Sequence, residues 1–189
     1  MNRRDFVRLG SAVPLGAFPH HLFAGSEKKL ASDVIELGPR KVKVSRLAMG
    51  TGTNGGGGSS NQTKRLGLKG LGELLRAATD NGVFFWDCAD QYGTHPHIKE
   101  GLKSVAREKV AILSKTHAST AAEMKADIDR FRRELGTDYI DVLLLHCMMD
   151  ANWPERKKGA MEYISQLQEK GNLRTKDGYC PTLAALKTP

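Results

Sequence analysis

The sequence predicts an α/β protein: a parallel sheet with helices laid along it. Three observations carry this. From Arg46 onward, apolar runs of strand length alternate with helical patterns at intervals of about 25–35 residues. The run Asp141-Val-Leu-Leu-Leu-His-Cys147 is almost continuously apolar, as a strand covered on both faces must be. Polar and ionisable residues follow successive strands directly, where parallel α/β folds place their working groups. An open doubly wound sheet and a closed eight-stranded barrel both satisfy this pattern.

Taken in order, VIELGPRKVKVS reads as a hairpin turning at Gly38-Pro39. Arg46 to Met49 reads as a buried strand ending in glycines, and NGGGGSSNQTKR as a flexible loop. In LGLKGLGELLRAATDNG, residues Leu68, Leu71, Leu74, Leu75 and Ala78 recur at helical spacing, with Asn81-Gly82 as the C-cap. VFFWDC is a strand, HIKEGLKSVA a short helix and KVAILSKT a further strand. TAAEMKADIDRFRRELG places Met124, Ile128, Phe131 and Leu135 on one face. Thr120 and Glu123 form a capping box and Gly136 the stop. YIDVLLLHC is a buried strand, ERKKGAMEYISQLQEKG a helix closed by Gly171, NLRTKDGYC a weak strand, and TLAALKT the opening of another helix.

The 189 residues suffice for one domain with a real core. Lys and Arg number 29 against 21 Asp and Glu, a net charge of +8 spread without a long basic run. That distribution is a basic soluble surface rather than a nucleic-acid footprint. No apolar stretch approaches the roughly 20 residues needed to cross a bilayer. Residues 1–26 are read apart from the fold. Arg3-Arg4, then Phe6, Val7 and Arg8, a modestly apolar segment and small residues at Ala24-Gly25-Ser26 resemble a twin-arginine export signal, with Asn2 where Ser or Thr is usual. The expectation is export of an already folded protein to a bacterial periplasm; the alternative is a basic tail on a cytoplasmic protein. Cys88, Cys147 and Cys180 form neither a CxxC nor an even set, and are expected as small buried side chains.

The chemistry gathers at the strand ends. Asp87 and Tyr92 follow one strand, Lys115 ends the next, and His146 ends the one after. A carbonyl that accepts hydride develops negative charge on oxygen and needs a proton there. A phenol can supply it, but its ordinary pKa near 10 makes it a reluctant acid. A lysine ammonium favours the phenolate and brings that value down; a carboxylate holds the lysine charged; a neutral imidazole orients the carbonyl oxygen.

In this order and spacing, DCADQYG, SKT and LLLHC resemble the aldo/keto reductase family, and RLAMGTGT is similar to that family's first barrel strand. The resemblance covers about residues 33–180. It implies a (β/α)8 barrel of the TIM type, incomplete here, with about five β/α units behind a β-hairpin that plugs the floor. It implies NADPH as hydride donor, a small-molecule carbonyl substrate, and a tetrad. In it Tyr92 is the general acid, Lys115 its pKa partner, Asp87 the anchor of Lys115 and His146 the carbonyl orienter. Gly50, Thr51 and Gly52 match the family's segment beside the nicotinamide, where small residues permit close backbone approach. The domain is expected over residues 33–189. An eight-fold barrel takes about 250 residues, so a C-terminally truncated chain is expected, and a non-catalytic nucleotide-binding or regulatory relative, or an inactive fragment, is the alternative. His95-Pro96-His97 lacks a third ligand at metal-site spacing, so no metal is expected. Gly55 to Gly58 is followed by no GK[ST] and is not a phosphate loop. Asn61-Gln62-Thr63 is a glycosylation triplet in form only, and no GxSxG elbow supports a hydrolase.

Overall fold

The computed structural model describes residues 28–149, 151–170 and 173–178. The expected export signal, Tyr179, Cys180 and the terminal TLAALKT helix lie outside the described residues. Strands β1 (Val34–Leu37) and β2 (Val42–Ser45) form the antiparallel hairpin, paired from Val34 with Ser45 to Leu37 with Val42. Gly38 and Lys41 take the positive φ values of 68° and 52° that the turn demands. Val42 and Val44 bury themselves with Ala111, the first residue of a sheet strand. The Ser45 hydroxyl accepts from the amides of Phe84 and Phe85, each at 3.0 Å. The hairpin therefore sits at the amino ends of the strands, the floor position expected of it.

The main sheet contains β3 (Ala48–Gly50), β4 (Phe85–Asp87), β5 (Ala111–Thr116), β6 (Ile140–Leu145) and β7 (Leu173–Gly178). All neighbours are parallel, and the spatial order is the sequence order. A doubly wound sheet reverses its order at a switch point. No reversal occurs among the described residues, so the ambiguity resolves toward the TIM-barrel type. Between the strands run α1 (Asn61–Asp80), α2 (His95–Gly101), α3 (Ala121–Leu135) and α4 (Trp153–Glu169). Trp86, Ile112, Leu143 and Leu145 from the sheet pack with Leu71, Leu75, Ile98, Phe131 and Ile164 from the helices in one core.

Helix α3 matches its sequence pattern. Met124, Ile128, Phe131 and Leu135 are buried, Thr120 and Glu123 complete the capping box, and Gly136 closes the helix at φ 69°. Helix α1 differs. It begins at Asn61, not Leu66, because Ser60 and Thr63 form a reciprocal cap. That pairing escapes a pattern that looks for Glu or Gln at the third position. Gly67, at φ 63° and ψ −173°, breaks the helical path near its start. Leu71 and Leu75 are buried as expected, but Leu68 and Leu74 are 46% and 38% exposed. Helix α2 likewise starts early, at His95, with Pro96 in the first turn where its missing N–H costs nothing. The glycine-rich segment is an ordered loop. Gly55 N–H donates to Gly52 O, Gly56 N–H to Ser59 O, and Gly58 N–H to Gln91 O at 2.8–2.9 Å.

Candidate active site

The carboxyl ends of β4, β5 and β6 bring the four expected residues together. Asp87 is the last residue of β4. Lys115 is the penultimate residue of β5, in register with Leu144 of β6. His146 follows β6 directly, and its N–H donates to Thr116 O at 2.8 Å. Tyr92 ends a 3-10 turn, Asp90–Tyr92, closed by Gly93 in the left-handed region. A side chain at Gly93 would strike the carbonyl of Gly58 at 1.9 Å, so the turn and the glycine loop interlock.

The lysine is buried and held. Its ammonium donates to the Asp87 carboxylate and, at 2.9 Å, to Cys88 O. The same nitrogen lies 5.0 Å from the centroid of the Tyr92 ring. The Tyr92 hydroxyl lies 3.4 Å from His146 Nε2, with the two rings edge to face. His146 is 2% exposed, and its pKa is pushed down to about 4. Burial is the main cause, followed by electrostatic repulsion from His117 and Lys115. A neutral imidazole therefore stands beside the phenol at neutral pH. Together these groups can hold a carbonyl oxygen, donate a proton to it and balance the charge left on the phenol.

Gly50, Thr51 and Gly52 occupy the end of β3 and the turn after it, each with a different job. Thr51 is buried. Its hydroxyl donates to Asp87 O at 2.9 Å and lies 3.0 Å from the Thr94 hydroxyl, while its amide donates to Asp87 O. It thus fixes the strand end that carries Asp87. A Cβ on Gly52 would meet the Tyr92 ring at 2.2 Å, and one on Gly55 would meet it at 2.3 Å. The smallness of both residues makes the slot in which the phenol lies. Gly50 is exposed, with nothing within 4 Å of its Cβ direction; it is the open shelf of the three.

Around this centre stand residues that pattern reading passed over. Arg130 of α3 grips Asp90 with both arms, Nη1 at 2.6 Å and Nη2 at 2.9 Å, and also reaches Asp127 and Glu134. It ties the turn that carries Tyr92 to the helix layer and holds the Asp90 carboxyl below its ordinary range. His95 bridges Glu134 (2.7 Å) and Ser114 (2.8 Å), with its pKa lowered chiefly by burial. The HPH pair is thus a helix start, its first histidine hydrogen-bonded inside the fold. Polar atoms of Asp90, His95 and Glu134 approach within 4.8 Å of one another, but the guanidinium of Arg130 already bonds both carboxylates. His117 stacks on His146 with centroids 4.9 Å apart. Cys88 is buried against Leu113 O and its thiol pushed up to about 12, an inert packing role, whereas Cys147 is only half-buried.

A family model of aldo/keto reductases matches residues 46–176. Among curated proteins, an aldo-keto reductase of Arabidopsis thaliana is 31% identical over 102 residues, covering 49% of this chain and 30% of that protein. One from Mus musculus is 28% identical over 102 residues, covering 47% and 32%. Among solved structures, an aldo/keto reductase of Brucella melitensis superposes with a TM-score of 0.64 at 17% identity, over 82% of this chain and 56% of that one. A Bombyx mori aldo-keto reductase crystallised with NADP gives 0.62 at 18% identity, over 79% and 50%. The match thus spans about a third of these curated relatives and about half of these solved chains.

Proposed function

The chain belongs to the aldo/keto reductase family, and from that premise we propose that it reduces aldehyde or ketone carbonyls, or oxidises the matching alcohols, with NADP(H). The observation that carries this reading is the gathering of Asp87, Lys115 and His146 from three strand ends around Tyr92, with His146 at its hydroxyl and the Asp87-held ammonium 5.0 Å from its ring centroid.

Tyr92 is the proton donor. Its ring is wedged between Gly52 and Gly55, so the hydroxyl points from a fixed position. Lys115 supplies the positive charge that makes the phenol a better acid, and Asp87 keeps that charge in place. His146, neutral at working pH, orients the carbonyl oxygen beside the hydroxyl. NADPH, when bound, supplies the hydride. The residues present fit such a group, because the open face at Gly50 leaves backbone free for a flat ring to approach. Gly50, with Thr51 and Gly52 behind it, would hold the nicotinamide end. The Bombyx mori relative's complex with NADP supports this choice of cofactor.

The test is the loss of NADPH near-UV absorbance with a panel of aldehydes. Turnover that falls by about 100-fold or more in Tyr92→Phe is the expected result. Nucleotide binding without any turnover would instead favour a binding or regulatory relative. We further propose export through the twin-arginine route, supported by Arg3-Arg4 and the weakly apolar segment behind them. Arg3→Lys/Arg4→Lys should trap the protein in the cytoplasm of a bacterial host; unchanged fractionation would refute export by that route.

A further inference from the structure

The Tyr92–His146 contact is flanked by two side chains that the tetrad does not use. His117, two residues beyond Lys115, is exposed at the rim and lies nearly parallel to His146, with centroids 4.9 Å apart and planes 25° from each other. Gln91, the residue before Tyr92, reaches His117. Its Oε1 lies 2.8 Å from His117 Nε2, and its Nε2 donates to Gly55 O at 3.4 Å. That second bond sets which end of the amide is oxygen. An amide oxygen only accepts, so His117 Nε2 must be the protonated nitrogen. The contacts close on themselves: Gly55 to Gln91, Gln91 to His117, His117 stacked on His146, His146 to Tyr92, and Tyr92 packed back on Gly55.

We propose that Gln91 and His117 form a strut that positions His146, and that His117, fixed as its Nε2–H form, sets the plane in which His146 Nε2 faces the Tyr92 hydroxyl. The proposal deepens the reductase reading and rests on it for the catalytic consequence. A stacked neighbour limits rotation of the His146 ring about its own bond. The strut anchors that neighbour to backbone on the far side of the phenol slot. Angular tolerance matters because an imidazole that orients a carbonyl works only when its ring nitrogen lies in the plane of the acceptor. Among the described residues, the groups that act on His146 include His117 on the loop after β5, Lys115 on β5, and Tyr92 and Asp90 in the 3-10 turn. Of these, Tyr92 meets the His146 ring at an interplanar angle of 83°, whereas His117 lies nearly parallel to it.

The experiment uses the 15N-histidine-labelled full chain and long-range imidazole spectra, which report tautomers directly. In the wild type His117 should appear as a single Nε2–H species. Gln91→Ala should leave both imidazoles in place yet give mixed tautomers at His117 and a changed His146 spectrum. Gln91→Glu, which keeps the acceptor toward His117 but loses the donor to Gly55 O, should hold His117 Nε2 protonated while the His146 signal stays changed. With NADPH and an active aldehyde, Gln91→Ala should lower kcat by about tenfold at nearly constant KM, with Gln91→Glu between it and wild type. Mixed tautomers at His117 in the wild type, or a His146 spectrum indifferent to Gln91→Ala, would overturn the strut. Spectra that behave as expected in a chain with no turnover would leave the strut standing and remove the reductase reading instead.

Discussion

Each end of the sheet is built on a cation and a carboxylate, and the two pairs are used in opposite ways. At the amino end, Arg107 donates to Thr137 Oγ1, Val110 O, Tyr139 O and Asp141 Oδ2 at 2.6–3.0 Å, and stacks on the Tyr139 ring at 3.9 Å. Asp141 is fully buried and also accepts from the amide of Ile112 at 2.9 Å. That pair joins the starts of β5 and β6. At the carboxyl end, Lys115 bonds Asp87 and Cys88 O and lies over the Tyr92 ring. A guanidinium with every arm engaged is a fastening. An ammonium 5.0 Å from a phenol ring is the charge that the proposed reaction would use as a reagent.

The sharpest way to break this contrast is to delete the cation at each end. Arg107→Ala removes the opposite charge from buried Asp141 and should cost about 3–5 kcal/mol, read as a lowered urea midpoint or loss of soluble protein. Lys115→Met should cost much less. Methionine fills the lysine channel, and Asp87, 30% exposed, can take up water. Equal losses at the two ends would end the distinction between fastening and reagent.

Acid should discriminate next. His146 has a folded pKa of about 4, below its ordinary 6.5, because burial disfavours its charged form. Between those values the unfolded chain binds more protons, so the His146 contribution is fully present above pH 6.5 and is lost as pH falls toward 4. His95, also lowered by burial, acts in the same direction. Denaturant titrations at a series of pH values should show this loss, and His146→Phe should flatten most of it. An unchanged slope in that variant would place the acid sensitivity elsewhere.

The two glycines at the end of β3 offer a smaller and cleaner test. Gly52→Ala puts a methyl into the Tyr92 ring and should cost about 1–3 kcal/mol while displacing the phenol. Gly50→Ala meets nothing and should stay within about 0.5 kcal/mol of wild type. If Gly50 is the nicotinamide shelf, its alanine variant should still bind NADPH less tightly, measured by quenching of Trp fluorescence. Unaltered affinity would move the shelf off Gly50.

Much of this site can be read from the chain, because residue type and strand-end position determine it together. Asp87, Lys115 and His146 each follow an apolar run that can only be a buried strand, so their meeting follows from a parallel sheet. What stays hidden depends on contacts between loops. Nothing in the spacing of Gly52 and Gly55 announces that they flank Tyr92. Gln91 and Arg130 are ordinary polar residues until the 3-10 turn and α3 approach one another. The start of α1 is obscured for a local reason: Ser60 and Thr63 cap it with two hydroxyls instead of a hydroxyl and a carboxylate. Leu68 misleads because Gly67 interrupts the helix beside it, and Leu74 because helical spacing alone does not say which leucines face the sheet.

A further modest effect comes from an element that belongs to neither end. Thr120 caps α3. Its hydroxyl accepts from Glu123 N–H at 3.2 Å, and Glu123 returns a carboxylate oxygen to the Thr120 amide at 3.0 Å. Thr120→Ala removes one of these bonds at an exposed position and should cost about 1 kcal/mol. The loss should fray only the first turn. Met124 and Ile128 stay buried, and Arg130, further along the helix, keeps its grip on Asp90 and so on the turn that carries Tyr92. The urea midpoint should therefore drop slightly while the His146 titration midpoint stays at about 4. A shift in that midpoint would mean that the helix cap and the phenol turn are coupled through α3, and the carboxyl end would then owe its geometry to the helix layer as much as to the strands.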